Sequence, residues 1–339
     1  MLTIECKCVN EALMKGLMLL VGAGVKNDSR VGPVVVVGEP VSTKYLHPDH
    51  RVLLSATRDA NPVFHVVEAL WMLAGRHDVS QLEYFNKRMK TFSDDGVKLH
   101  GAYGRRWRRH FGDDQLAAAI RELRRDPSSR RCVIGMWDPM LDPAVAANGG
   151  KDVPCNTQLY VAIRNGRLCM QICCRSNDAI WGAYGANAVH FSILQEYLSA
   201  MVGVPLGWME QTSFNLHYYP EHFSAERVRK IIHESEYAAK SANWNAVPLV
   251  TNVAAFHEDL DNFMSYVDAV VASSEMVPPR GFVNRFFREV ALPMVRAYQA
   301  HKLGISYDTF VLVADINDTQ WRHACWEWFN RRVIKRAQA

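Results

Sequence analysis

An α+β fold is expected for this 339-residue chain from three features. Short β-branched or apolar runs are bounded by Gly, Pro and Asn. Two of these runs are joined by an Asn-Gly turn, and longer segments carry apolar residues at helical intervals.

The elements follow in order. The Val run at 34–37 lies between Gly32-Pro33 and Gly38-Glu39-Pro40, which reads as a buried strand with Arg30 on the loop entering it. Asn61-Pro62 opens a helix in which Phe64, Val67, Leu70, Trp71 and Leu73 recur near helical spacing until Gly75 stops it, and Glu68 lies on that helix. Residues 132–136, 159–163 and 168–174 read as three more strands. Arg164-Asn165-Gly166-Arg167 closes the last two into a tight hairpin, so Cys155 enters the hairpin and Arg175 leaves it. From 188 to 202, Val189, Ile193, Leu194, Tyr197, Leu198 and Met201 define a core helix that begins beside Asn187 and ends at Gly203. Beyond about residue 230 the pattern is mostly helical, with Trp and Arg concentrated at 321–332. The expected organisation is a core over 1–230 and a helical region over 231–339 packed on it, with no repeat or Gly/Ser linker between.

Composition narrows the classes. At 49% hydrophobic and 22% charged residues the chain reads as globular. A net charge of +4 does not by itself imply nucleic-acid binding, because an anionic small molecule satisfies local Arg clusters equally well. No apolar run reaches the roughly 18 residues of a spanning helix. The eight cysteines show no regular framework and no His partners at zinc spacing, and the start lacks a charged region leading into an apolar one. A reducing cytoplasm and no metal are expected.

The chemistry-bearing residues come in blocks. Pro154-Cys155-Asn156-Thr157-Gln158 is followed by Arg175-Ser176-Asn177-Asp178 and then by Trp181-Gly182-Ala183-Tyr184-Gly185-Ala186-Asn187. A thiol, an Arg-Ser pair suited to anions, a carboxylate and an amide are the parts needed for covalent chemistry on a nucleotide base. Four further blocks stand in the same order: Glu68-Ala69-Leu70-Trp71, Tyr103-Gly104-Arg105-Arg106-Trp107-Arg108, Ser129-Arg130-Arg131 and Asn215-Leu216-His217-Tyr218-Tyr219. Over roughly residues 25 to 225, their order and spacing resemble the thymidylate synthase family, which includes phage pyrimidine-nucleotide hydroxymethylases.

That resemblance implies a large mixed β-sheet packed with helices, one sheet face forming a homodimer interface. It implies one-carbon transfer from 5,10-methylenetetrahydrofolate to C5 of a pyrimidine nucleoside monophosphate. Cys155 would add to C6, because pyrimidine C5 is a poor nucleophile until a thiolate turns it into an enolate-like carbon. Glu68 would relay protons, a task that burial among Phe64, Leu70 and Trp71 favours, and Tyr103 with water would help remove the C5 proton. Arg30, Arg175 and Ser176 of one subunit would hold the phosphate together with Arg130 and Arg131 of the other. His217 and Tyr219 would bind the sugar hydroxyl, and Asp178 the folate pterin. Asn187 would read the base, since an amide both donates and accepts. The interval from Gly182 to Asn187 is one residue longer than the family pattern, which leaves Ala186 as the alternative occupant.

Several departures point to the hydroxymethylase branch. Counting back from Tyr103, the place of a shielding tryptophan falls on Met89 and the next on Phe92. Asn156 stands where the synthases have His, and the C-terminal segment is unfamiliar. Water capture of the methylene intermediate is therefore expected over hydride transfer. A synthase or cytidylate methyltransferase giving a 5-methyl product is the alternative within the class. Outside it stands an inactive nucleotide- or RNA-binding homologue, which would be expected to lose Cys155, Glu68 or Tyr103. Cytosine or uracil, and ribose or deoxyribose, remain open at this level.

Overall fold

The computed structural model describes residues 1–240 and 245–338. The chain forms two compact units, each assembled from separate stretches: Met1–Ala60, Arg106–Asn148 and Val153–Ala242 in the first, Asn61–Arg105, Gly149–Asp152 and Asn243–Ala339 in the second. Residues 61–105 thus group with the C-terminal helices.

The first unit holds all the named strands: β1 (Leu2–Cys6), β2 (Val25–Ser29), β3 (Gly32–Val36), β4 (Val41–Tyr45), β5 (Val133–Gly135), β6 (Asn156–Arg164), β7 (Arg167–Cys174), β8 (Asn177–Asp178), β9 (Leu206–Ser213) and β10 (Leu216–Tyr218). A six-stranded mixed sheet runs β1-β4-β9-β7-β6-β5, with β1/β4 and β7/β9 parallel and the other pairs antiparallel. A four-stranded sheet runs β2-β3-β10-β8. The expected α+β class with mixed sheets and helices is what the chain adopts.

The hairpin of β6 and β7 shows local sequence acting directly. Arg164 pairs with Arg167, and Asn165 (φ 50°) and Gly166 (φ 70°) both take the left-handed backbone of a two-residue turn. Against this sheet lies the helix Asn187–Val202, whose Phe191, Ile193, Leu194, Tyr197 and Leu198 are almost wholly excluded from solvent. Each such side chain contributes roughly 1.5–3 kcal/mol of apolar burial. Gly203 at φ 89° ends the helix, as a left-handed C-terminal residue must.

The second unit is helical. Pro62–Leu73 starts with the Asn61 side chain accepting from the Phe64 N–H and with Pro62 in the first turn, so cap and proline act as the sequence predicts. Of its residues only Glu68 escapes full burial. Helices Phe256–Ala272, Leu292–Lys302 and Thr319–Gln338 pack against it. Phe287 lies 5.5–5.9 Å from the rings of Phe256, Phe263 and Phe282, while Tyr298 stacks near Phe85 and Trp328 at 4.9 and 5.8 Å. Among the described residues no helix is long and apolar enough to cross a membrane.

Candidate active site

Most of the predicted residues lie in the first unit, where strand pairing brings them together. Cys155 is half-buried on the loop that enters β6. Its carbonyl accepts from the Arg175 N–H at 2.9 Å, because Arg175 leaves β7 directly opposite. The Arg175 side chain reaches back over the same loop: Nε donates to the Pro154 carbonyl (2.8 Å) and Nη2 to the Val153 carbonyl (3.0 Å), with the guanidinium 5.9 Å from the Trp137 ring. An arginine has five N–H donors, so this clamp leaves Nη1 and one Nη2 hydrogen for an anion. Ser176, next in the chain, is half-buried and its hydroxyl makes no hydrogen bond among the described residues.

The four-stranded sheet supplies the next group. Parallel pairing of β8 with β10 sets His217 beside Asp178. Asp178 Oδ1 accepts from the N–H groups of Ile180 and Trp181, capping the turn that follows. Oδ2 is buried with no hydrogen-bond partner among the described residues. Burial pushes the Asp178 carboxyl above its ordinary value, against the pull of the Trp181 N–H and of His217. Burial likewise pushes His217 down, opposed by Asp178, and its Nδ1 lies 2.8 Å from Asn215 Oδ1. Tyr219 packs edge-on to the His217 ring at 5.2 Å. Its hydroxyl is raised chiefly by burial, then by Asp178 and Cys155, while Arg30 lowers it. Tyr219 thus shares one electrostatic neighbourhood with Asp178, Cys155 and Arg30, the last exposed at the tip of the β2/β3 hairpin.

Asn187 is placed by a wide helical turn. Residues Ala179–Ala186 form a π-type segment in which the Asn187 N–H bonds to the Gly182 carbonyl, five residues back, with Gly185 kinked at φ −113°, ψ −112°. A π turn holds one residue more than an α turn, so it absorbs the extra residue in this stretch. The Asn187 side chain meets Asn156 and Asn177: Asn156 Nδ2 donates to Asn187 Oδ1 (3.3 Å) and Asn187 Nδ2 to Asn177 Oδ1 (3.1 Å).

Glu68 and Tyr103 lie in the second unit. Glu68 is the half-buried residue of an otherwise buried helix, and Tyr103, also half-buried, opens the short helix Tyr103–Arg105. Gly104 packs so closely on the end of the Glu68 helix that a Cβ there would come within 2.0 Å of the Met72 carbonyl oxygen. Met89 is half-buried and Phe92 is 43% exposed on the short helix Met89–Phe92.

Arg130 and Arg131 are exposed on the loop leading into β5, an edge strand of the six-stranded sheet. Among the described residues neither guanidinium makes a hydrogen bond or ion pair, and none joins them to Arg175. Arg58 carries no expectation from sequence, yet it reaches this neighbourhood: its Nε donates to the Ile180 carbonyl at 2.8 Å. Burial pushes the guanidinium down to about 10, offset in part by Asp178. Nothing in the stretch Thr57-Arg58-Asp59 distinguishes it from the other arginines. A cavity of ≈ 470 Å³ in the C-terminal helices, lined by Ala314, Thr319, Arg322, His323 and Trp326, contains none of the predicted site residues. Among the described residues no group of three His, Cys, Asp or Glu side chains is arranged to hold a metal ion.

A half-buried thiol beside an arginine with donors to spare, a carboxylate with one buried oxygen, a His/Tyr pair and an anchored amide are parts that can serve covalent chemistry on a nucleotide. The chain belongs to the thymidylate synthase family, whose model matches residues 18–265. It is 43% identical, over 98% of its length and 95% of the relative's, to the deoxyuridylate hydroxymethyltransferase of Pseudomonas phage M6. It is 37% identical to the deoxyuridylate hydroxymethyltransferases of Bacillus phage SP01, over 57% of this chain and 52% of that one, and Delftia phage PhiW-14, over 51% and 50%.

Proposed function

We propose that the chain is a deoxyuridylate 5-hydroxymethyltransferase that uses 5,10-methylenetetrahydrofolate. The observation that carries this reading is the near full-length likeness to the phage M6 enzyme, which continues through the C-terminal region beyond residue 265 where the family model stops. The same contrast supports the part of residues 231–339 that lies beyond 265 as an elaboration particular to this branch.

Buried Asp178 Oδ2, an acceptor lacking a donor among the described residues, fits an N–H of the pterin. When bound, the folate supplies one carbon at the oxidation level of formaldehyde. The work of the chain itself divides among named groups. Arg175, Ser176 and Arg30 bind the phosphate, joined by Arg130 and Arg131 of a second subunit in a homodimer. His217 and Tyr219 hold the sugar hydroxyl and Asn187 the base edge. Cys155 Sγ adds to C6, which makes C5 the nucleophile. Once C5 has bonded the transferred carbon, Tyr103 with water removes the C5 proton, and Glu68 relays protons to the base and to the folate nitrogen whose bond to that carbon breaks, which leaves an exocyclic methylene on C5. Water then adds to the exocyclic methylene of the nucleotide and Cys155 is released, giving 5-hydroxymethyl-dUMP and unoxidised tetrahydrofolate. Half-buried Met89 and exposed Phe92, where a synthase would place shielding tryptophans, support hydration. The reaction belongs in the cytoplasm of an infected bacterial cell.

Incubation with methylenetetrahydrofolate and each of dUMP, dCMP, UMP and CMP, followed by mass analysis, tests the proposal. A hydroxymethyl product from dUMP, with no rise in dihydrofolate absorbance, is expected. A 5-methyl product with stoichiometric dihydrofolate would return the synthase reading.

A further inference from the structure

A neutral amide cannot by itself tell uracil from cytosine. The uracil edge presents the O4 acceptor beside the N3–H donor, whereas cytosine presents the N4 donor beside the N3 acceptor. Turning an asparagine amide by 180° exchanges its oxygen and nitrogen and converts a match for one base into a match for the other. Whatever prevents that rotation sets base choice.

Here the amide belongs to a chain of polar side chains. Asn156 Nδ2 donates to Asn187 Oδ1 (3.3 Å), Asn187 Nδ2 to Asn177 Oδ1 (3.1 Å), and Asn177 Nδ2 to Ser213 Oγ (2.9 Å). The two flanking amides and the serine are buried, with Asn156 at 0%, Asn177 at 2% and Ser213 at 3% exposure, whereas Asn187 is half-exposed. The buried members are also fixed in place. Asn156 begins β6 opposite Cys174, Asn177 begins β8 opposite Leu216, and Ser213 ends β9, also opposite Cys174. Gly182 lets the wide turn close over the chain: a Cβ there would lie 2.8 Å from Asn177 Oδ1 and 3.6 Å from Asn187 Nδ2.

Each neighbour uses one valence of Asn187. One lone pair on Oδ1 and one hydrogen on Nδ2 remain. Rotating Asn187 alone would set its Nδ2 against the Asn156 donor and its Oδ1 against the Asn177 acceptor, breaking two hydrogen bonds and facing like against like in a buried setting.

We infer that Asn156 and Asn177 are the specificity-determining positioning residues, which oppose rotation of the Asn187 amide away from the orientation that accepts uracil. This rests on the proposed reading of Asn187 as the residue facing the base. It goes beyond that reading by moving the choice of base from Asn187 to two buried neighbours. It also gives Asn156, directly after the nucleophile, a task separate from the covalent chemistry.

The test measures calorimetric binding of dUMP and dCMP, and product formation from each, on the full chain carrying Asn156→Ala, Asn156→His or Asn187→Asp beside the unaltered protein. The unaltered protein is expected to prefer dUMP. Asn156→Ala should lower the dUMP:dCMP ratio roughly tenfold, the scale of the hydrogen bonds that oppose rotation. Asn156→His, which keeps an N–H donor, should recover most of that ratio, and Asn187→Asp should turn preference toward dCMP. A ratio unchanged in Asn156→Ala while Asn187→Asp shifts it overturns the anchoring and leaves the base-reading assignment standing. An equal loss for both nucleotides in Asn156→Ala also overturns it, since that marks a purely structural role. A ratio unmoved by Asn187→Asp defeats the base-reading assignment and the anchoring with it. Should Asn156→Ala fail to fold, Asn177→Ala puts the same question from the other end of the chain.

Discussion

The two units hold their candidate site residues by different physical means. In the first, functional side chains are fixed by polar partners: Arg175 is forked onto the Val153 and Pro154 carbonyls, Asp178 caps the Ile180–Trp181 turn, and Asn187 is bonded on both sides. In the second, Glu68 rides a helix whose other eleven residues are buried among apolar neighbours. Polar clamps set orientation to within a hydrogen bond and contribute only about 1 kcal/mol each to stability, whereas apolar packing sets position through several kcal/mol of burial. Mutations in the first unit should therefore separate activity from stability, and core mutations in the second should not.

The sharpest test of this contrast is Cys155→Ser, expected to lower turnover by about 10³-fold or more. Calorimetric dUMP affinity and the melting temperature should stay near those of the unaltered protein. Residual turnover at the original level would remove Cys155 from the reaction. Glu68→Gln should cost roughly 10²–10⁴ in kcat, the usual range for a lost acid–base group, with little change in melting because the position is not in the packed core. Two residues along the same helix, Leu70 is fully buried, and Leu70→Ala should destabilise the chain by about 2–5 kcal/mol in denaturant titration. Its activity should fall only with the folded fraction. A stable but inactive Leu70→Ala would break the comparison.

Arg175→Lys keeps the charge and loses the fork to two carbonyls. A fall of roughly 10- to 100-fold in kcat/KM at near-constant melting temperature is expected from the lost charge-assisted bonds. The smallest effect lies in the second unit, where Arg285, Asn317 and Arg288 hold Glu289 down to about 2. A depressed carboxyl stabilises the fold above its ordinary value of 4.5, and that contribution is lost as pH falls through about 2. Glu289→Gln should thus cost less than about 1 kcal/mol at pH 7, since Arg285 and Arg288 are exposed, and the difference from the unaltered protein should close between pH 4.5 and 2. A gap that persists at low pH would assign the loss to packing instead.

Local chemistry was legible wherever one or two residues decide the backbone. Asn165-Gly166 specifies its turn, Asn61-Pro62 its helix start and Gly203 its helix end, because left-handed φ, a fixed proline φ and a capping side chain act within a few residues. The order of the blocks around Cys155, Arg175 and His217 likewise sufficed to identify the family, and with it the mixed sheet and the chemistry expected of it.

What the linear pattern left open depends on pairings between distant residues. The strands Leu2–Cys6, Val41–Tyr45 and Leu206–Ser213 carry weak signals of their own, and they are strands because neighbours in the sheet complete their hydrogen bonds. The grouping of residues 61–105 with the C-terminal helices follows from aromatic packing between segments some two hundred residues apart, such as Tyr298 on Phe85. The one-residue excess before Asn187 falls in a π turn that Gly182 and Gly185 permit. Arg58 reaches the Ile180 carbonyl, and Asn156 meets Asn187 and Asn177, only through the folded backbone. Sequence by itself determined the class of chemistry and the local turns, since both are written in short stretches of side chains. Tertiary structure decided which amide faces which, because hydrogen-bond partners and burial are properties of neighbours in space.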